Sequence, residues 1–133
     1  MPAMDIVVDV GSPEPVYEQI VRQIHDAVQT SRLPPGAPLP TVRQLADDLA
    51  VNRNTVARAY RLLEEQGVIL TAGRKGTFVR RDATREVDKA RATEAQRASR
   101  RLVDRLAASG LSRAQISTIF QQAVRSPRPK GSS

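Results

Sequence analysis

Apolar residues recur every three or four positions along the first half of the chain, which is the period of an α-helix with one buried face. Three such stripes follow one another: Val16, Ile20, Ile24 and Val28, then Val42, Leu45, Ala46 and Leu49, then Val56, Tyr60 and Leu63. Polar residues occupy most positions between them, as on the solvated side of a surface helix. The pattern therefore predicts three amphipathic helices.

The residues that separate the stripes predict where the helices begin and end. Pro34-Pro35-Gly36 ends the first helix, because proline lacks the backbone N–H that a continuing helix needs. Thr41-Val42-Arg43-Gln44 has the form of a capping box at the start of the second helix. Asn52 is an N-cap candidate for the third helix, and Gly67 stands where a helix often ends. The second and third helices are thus joined by a tight turn.

Beyond the third helix the pattern changes to that of β-strands. Val68–Thr71 and Thr77–Arg80 are rich in β-branched and apolar residues, and glycine and basic residues join them. They predict a hairpin, which we call the wing (residues 68–80). Near the start of the chain, the apolar run Ile6-Val7-Val8 is followed by turn-forming residues and predicts a further short strand.

Two more helices are predicted after Asp82. The first has a stripe of Ala95, Ala98, Leu102 and Leu106. Ser109-Gly110 ends it, and a second capping box at Ser112–Gln115 starts a helix with Ile116, Ile119, Phe120, Ala123 and Val124 on one face. We expect a mobile tail over residues 126–133, which have nothing to pack. The fold class is therefore mainly α with a small β-hairpin (α+β), followed by a C-terminal helical pair.

The composition favours an anionic partner. The 133 residues include 21 Lys or Arg and 14 Asp or Glu, which gives a net charge of +7. Two tyrosines and two phenylalanines are too few for the stacking platforms of single-strand binders, so duplex DNA is the better candidate. No apolar run approaches the ~20 residues of a membrane span, and no signal peptide is evident. We therefore expect a cytoplasmic protein with no membrane partner.

Several classes of chemistry are excluded by the residues themselves. The chain has no cysteine and one histidine, His25, which excludes disulfides, thiolate zinc sites and cysteine nucleophiles. No catalytic constellation and no glycine-rich phosphate loop occurs. We expect no enzyme activity, no metal and no cofactor, and the sequence leaves open whether a small-molecule effector binds.

Two short helices joined by a tight turn, the second of them basic on its outer face, predict a helix-turn-helix. Its second helix, the recognition helix, enters the major groove of DNA. Arg53 and Asn54 lie in the first turn of that helix, and these residue types pair with guanine and adenine, respectively. Asn52 and Thr55 are suited to phosphate contacts. At the wing tip, Arg74-Lys75-Gly76 places two cations beside a residue with no side chain, which allows close approach to DNA.

Net charge does not locate this site. Residues 1–81 carry ten basic and nine acidic side chains, whereas residues 82–133 carry eleven and five. The local arrangement is more informative, because six cations, the site cations, are predicted on one side of the first domain. They are Arg43, Arg53, Arg58, Arg61, Arg74 and Lys75.

Three motifs in order resemble the winged helix-turn-helix of GntR-type bacterial transcription regulators over about residues 5–81. They are Leu39-Pro40-Thr41-Val42-Arg43-Gln44-Leu45-Ala46, Val51-Asn52-Arg53-Asn54-Thr55-Val56-Ala57-Arg58-Ala59-Tyr60 and Gly73-Arg74-Lys75-Gly76-Thr77-Phe78-Val79. The second motif and the short helical tail look most like the YtrA-like subfamily. The resemblance implies that Arg43 and Arg53 contact DNA and that Gly76 is the wing-tip glycine.

Two positions depart from that family pattern. Ala57 stands where many relatives carry a further DNA-contacting arginine, which leaves Arg58 as the candidate substitute. Val42 replaces the acidic residue that usually precedes Arg43. Together, the residues and the resemblance predict a DNA-binding site of Thr41, Arg43, Asn52, Arg53, Asn54, Thr55, Arg58, Arg74, Lys75, Gly76 and Thr77.

The sequence thus predicts a winged helix-turn-helix over residues 1–81 and a dimerisation region over residues 82–125. Dimerisation is assigned to Leu102, Leu106, Ile116, Ile119, Phe120 and Val124, because two helices cannot enclose this apolar surface alone. The leading hypothesis is a sequence-specific transcription regulator, a repressor that binds a palindromic operator as a homodimer. The alternatives are a winged-helix protein-interaction module and an architectural protein that binds DNA without sequence preference.

Overall fold

A computed structural model describes residues 5–126 of the chain. Residues up to Arg91 form one compact unit, and residues from Ala92 onwards form a second. Of the predicted tail over residues 126–133, residues 127–133 lie outside the described residues. The regular elements are α1 (Val16–Gln29), β1 (Pro38–Leu39), α2 (Val42–Leu49), α3 (Arg53–Glu65), β2 (Ile69–Thr71), a 3₁₀ turn (Gly73–Lys75), β3 (Thr77–Val79), α4 (Ala83–Ala108) and α5 (Arg113–Arg125).

The predicted helix starts are confirmed by their hydrogen bonds. Thr41 Oγ1 accepts from the Gln44 N–H at 3.0 Å, and the Thr41 N–H donates to Gln44 Oε1 at 2.9 Å. The same reciprocal pair joins Ser112 and Gln115 before α5. These boxes satisfy donors that the first turn of a helix leaves unpaired, so α2 and α5 begin where the sequence places them.

The wing hairpin is confirmed, and it is part of a three-stranded antiparallel sheet with the order β1-β3-β2. Ile69 pairs with Val79 across the hairpin, and Pro38 pairs with Phe78 on the other side of β3. The sequence did not predict β1. Proline at an edge is compatible with a sheet, because the N–H that it lacks has no ladder partner there. The wing is therefore held on both sides of its central strand.

The core of the first unit forms where the three predicted helical stripes meet the sheet. Ile20 and Ile24 of α1 and Val56 and Leu63 of α3 are completely buried. Ala83 and Val87 from the first turns of α4 are also buried in this core. Burial of side chains of this size stabilises a fold by about 1.5–3 kcal/mol each. The same packing fixes the orientation of α3, which carries the predicted recognition surface.

The strand predicted at Ile6-Val7-Val8 is wrong. This segment pairs with no other strand among the described residues; its backbone bonds instead to a glutamine side chain of α1. The Val7 N–H donates to Gln23 Oε1 at 2.9 Å, and Gln23 Nε2 donates back to the Val7 carbonyl at 2.8 Å. Gln19 forms the same pair of bonds with Asp9. Side-chain amides thus supply the hydrogen bonds that a partner strand would have made.

The second unit contains the rest of α4 and the whole of α5. Ile116 is its one buried hydrophobic residue among those described, at 4% exposure. The continuous stretch of α4 from residue 91 to residue 101 is exposed at every position. The predicted stripe residues Ala95 and Ala98 lie in this stretch. Within the described residues, then, much of the predicted apolar stripe of α4 packs against nothing.

Candidate nucleic-acid interface

Helix α3 carries four of the eleven predicted contact residues. Val56, Ala59, Tyr60 and Leu63 are buried, which turns the opposite side of the helix to solvent. Arg53, Asn54 and Arg58 are exposed on that side, and Thr55 is half-buried. Asn54 and Arg58 are four residues apart and so share one row of the helix surface. This row and the first turn form a continuous polar surface.

Asn52 is the N-cap of α3. Its Oδ1 accepts a hydrogen bond from the Asn54 N–H at 2.7 Å, so its amide N–H₂ group remains as the donor. The cap fixes the first turn of α3, which carries Arg53 and Asn54. Asn52 therefore has a structural role in addition to its predicted phosphate contact.

The start of α2 is tied to α3 through Tyr60. The Tyr60 hydroxyl donates to the Pro40 carbonyl at 2.7 Å, one residue before the Thr41 cap. Burial in the core raises the pKa of Tyr60 well above its ordinary value, because the phenolate would lose its hydration. Arg43, in the first turn of α2, is exposed beside this tether. The two helices of the motif are thus fixed to each other near the predicted contacts.

The wing tip has the geometry that only glycine adopts readily. Gly76 has φ +105° and ψ −164°, a region that is closed to side chains other than hydrogen. An added Cβ atom would make only an ordinary 3.8 Å contact with the Phe78 ring, so the backbone conformation is what requires glycine. Arg74 and Lys75 are exposed in the 3₁₀ turn before it, and the Thr71 and Thr77 hydroxyls lie 3.3 Å apart across the strands. The tip therefore presents its two cations on a tight, narrow turn.

None of the six site cations forms a salt bridge with a carboxylate among the described residues. By contrast, Arg22 pairs with Glu14 at 2.9 Å and Arg91 pairs with Asp26 at 2.6 Å. An unpaired exposed cation binds an incoming anion without first breaking an ion pair. The first unit has a nearly balanced overall charge, and six of its cations without a salt bridge in the described part of the chain lie on α2, α3 and the wing; further exposed cations without one there are Arg32, Arg81 and Lys89.

Arg58 makes a contact that the sequence did not predict. Its guanidinium carbon lies 3.9 Å from the centroid of the Tyr17 ring, which is a close cation–π stack between α3 and the first turn of α1. The two residues are separated by 41 positions, so no local pattern connects them. The only available signal was that Tyr17 is one of two tyrosines in a chain with few aromatic residues.

His25 lies away from this surface, buried on α1. Its Nε2 atom is 2.7 Å from Gln66 Oε1, at the end of α3. Burial lowers the pKa of His25, with the Gln66 hydrogen bond acting in the opposite direction. The residue is therefore a structural link between two helices. Residues 5–126 contain no cluster of three or more potential metal ligands of the His, Cys, Asp or Glu type, and no helix long and apolar enough to cross a membrane.

Comparison with known proteins identifies the first unit. Residues 16–79 match the family model described as bacterial regulatory proteins, gntR family. The chain is 51% identical over 74 residues to the HTH-type transcriptional regulator Rv1152 of Mycobacterium tuberculosis, a match that covers 56% of this chain and 61% of the relative. It is 40% identical over 78 residues to the HTH-type transcriptional repressor YtrA of Bacillus subtilis, covering 59% of this chain and 60% of the relative. The chain therefore matches about three-fifths of the length of these relatives.

Solved structures extend the likeness to most of the chain. YtrA from Sulfolobus acidocaldarius, a GntR-family transcription factor, is 30% identical with a TM-score of 0.54, and the match covers 90% of this chain and 97% of that one. The DNA-binding domain of AraR, solved in complex with operator ORX1, is 26% identical with a TM-score of 0.51, covering 56% of this chain and 95% of that one.

Proposed function

The chain belongs to the GntR family of bacterial regulatory proteins and is YtrA-like within it, and from this premise we propose that it is a sequence-specific transcription regulator that binds duplex DNA. The observation that carries the proposal is that six exposed cations without a salt bridge, within the described residues, lie together on the helix-turn-helix and the wing. The family implies that Arg43 and Arg53 contact DNA, and both are exposed. A cytoplasmic location follows from this function, because bacterial DNA lies there.

The three parts of the site have separate roles in the proposal. Arg53 and Asn54 in the first turn of α3 contact base edges, because arginine pairs with guanine and asparagine with adenine. Thr41, Arg43, Asn52 and Thr55 contact phosphates and fix the position of α3. Arg74, Lys75, Gly76 and Thr77 at the wing tip contact the backbone or the adjacent minor groove. The AraR domain supports binding of duplex DNA by this fold, because a protein similar to the first unit was solved on its operator.

We further propose that the protein is a repressor that binds a palindromic operator as a homodimer. The similarity to the repressor YtrA of Bacillus subtilis supports the assignment as a repressor. The second part rests on the second unit, where Ile119 and Val124 are 42% and 79% exposed and Leu102, Leu106 and Phe120 are only half-buried. A second copy would cover these residues, and closed two-fold pairs are the commonest soluble assemblies. Two recognition helices would then bind half-sites about 34 Å apart or a multiple of it.

Selection of bound duplexes from a random pool tests the function directly. We expect a recovered sequence with two inverted half-sites, and we expect the ratio of specific to random affinity to persist when salt is raised. An architectural protein would recover no consensus, and its affinity for all duplexes would collapse together with salt. A protein-interaction module would retain no duplex at either salt concentration.

A further inference from the structure

We propose that Tyr17 is a positioning residue for DNA recognition: its ring holds the Arg58 guanidinium so that Arg58 contacts one defined base pair. This inference rests on the proposed function, and it assigns a specificity role to α1, which lies outside the helix-turn-helix. It also accounts for the departure at Ala57, because Arg58 supplies the cation that many relatives carry one residue earlier.

The stack restrains Arg58 without occupying its hydrogen-bond donors. A guanidinium that lies over a ring is held through its flat face, at 3.9 Å in this case. Its N–H donors point outward in its own plane, which is the geometry that matches two acceptors on guanine. No carboxylate pairs with Arg58 among residues 5–126. An arginine held in this way loses less conformational freedom on binding than an unrestrained one.

Tyr17 is itself fixed firmly enough to serve as a support. The ring is half-buried and packs against the core of the first unit, as does the neighbouring Val16. The Tyr17 hydroxyl donates to Glu18 Oε1 at 3.1 Å. Because α1 packs along α3 through completely buried residues such as Ile20 and Val56, the ring is held at a constant distance from the recognition helix.

Arg58 is also placed to reach bases. It lies four residues after Asn54 on the exposed row of α3, so it continues the surface that begins at the first turn. A single stacked arginine in this row would specify one base pair beyond those that Arg53 and Asn54 contact. The expected consequence is a preference for guanine at that position of each half-site.

The test compares Tyr17→Leu with the matched control Tyr17→Phe on the operator recovered by selection. Tyr17→Leu removes the ring, and we expect about a 3- to 10-fold loss of operator affinity together with a flattened preference at one base pair of each half-site. Tyr17→Phe keeps the ring, so affinity and preference should stay within about 2-fold of those of the unmodified protein. Thermal unfolding checks that each variant is folded.

Arg58→Ala should flatten the preference at the same base pair, and adding Tyr17→Leu to Arg58→Ala should then cause no further loss. The proposal is overturned if Tyr17→Leu weakens all duplexes equally, or if its effect is unchanged in the Arg58→Ala background. Recovery of no consensus by the unmodified protein would refute the proposed function as well. A clear consensus with an unaffected Tyr17→Leu variant would refute the positioning role alone.

Discussion

At the scale of single residues, different cations of the proposed site are assigned different DNA contacts. Arg53→Ala should weaken operator binding by about 1–3 kcal/mol and relax preference at one base pair, because it removes a directional contact to a base edge. Lys75→Ala should weaken binding to every sequence, as expected of a phosphate contact. It should also reduce the slope of log affinity against log salt concentration by about one. Titrations of operator and random duplexes at several salt concentrations measure both effects.

Arg32→Ala is the matched control, because it removes an exposed charge of the first unit from a loop outside the site. It should leave operator preference unchanged. If Arg53→Ala scaled the affinities of all duplexes equally, the assignment of Arg53 to a base contact would be wrong.

His25 gives the fold a defined response to acid. Burial lowers its pKa in the folded state below the unfolded value of about 6.5, so the unfolded chain binds the proton more readily. The stability contributed by the neutral ring is therefore fully present above pH 6.5, and it is lost as pH falls toward the lowered pKa. Urea unfolding measures the free energy of unfolding at pH 7.5 and at pH 5.5. Between these pH values, this free energy should decrease more for the unmodified protein than for His25→Gln. Equal decreases would show that other groups cause the acid sensitivity.

The exposed positions of the proposed site could be predicted only where a polar or basic residue occurs at a recognisable helix start or turn. The exposed positions of Arg53, Asn54 and Lys75 could be predicted from a helix start or a turn tip, whereas their contacts with DNA stay predictions. The contact between Tyr17 and Arg58 could not be predicted, because it depends on how α1 packs against α3. Long-range packing of this kind leaves no periodic signal in the sequence.

At the scale of elements, prediction succeeded where the interactions are local. The capping boxes at Thr41 and Ser112 join residues three positions apart, and the wing joins adjacent strands, so all three could be identified from short motifs. The segment Ile6-Val7-Val8 was misassigned because the Val7 backbone bonds to the Gln23 side chain, 16 residues away. Strand β1 was missed because it pairs with β3, about forty residues later.

The wing provides a test at this scale. Gly76→Val should lower DNA affinity while leaving the helix content unchanged, because valine at φ +105° is strained by about 1–3 kcal/mol and forces the tip to rearrange. Leu70→Val, at an exposed position of β2, is the control for a valine substitution in the hairpin. Fluorescence titration with operator DNA and far-UV circular dichroism measure the two properties. Unchanged affinity would leave the wing as a structural hairpin only.

At the scale of the whole molecule, charge and apolar surface are distributed differently between the two units. The first unit holds the completely buried side chains, whereas the described part of the second has Ile116 as its one buried hydrophobic residue. The first 81 residues are nearly neutral overall, and the excess positive charge follows them. The division in charge could be predicted from the composition of the two parts of the chain. The exposure of individual stripe residues required the packed structure.

That exposure leads to a test of assembly. Ile119→Asp and Val124→Asp together should convert the proposed dimer into a folded monomer, because an interface would bury two unpaired carboxylates at a cost of several kcal/mol. Both side chains are exposed in the single chain, so the first unit and its core should be unaffected. Light scattering should report half the mass, and binding to the full palindrome should fall to the weak, salt-sensitive level of one half-site.

Thr118→Asp is the control for this double variant, because it adds a carboxylate to the same helix on the side away from Ile116. It should remain dimeric and bind the palindrome normally. The dimer proposal would fail if the unmodified protein already had the mass of one chain when bound to its operator. It would fail equally if the double variant kept both its mass and its preference for the palindrome, since the interface would then lie elsewhere than on α5.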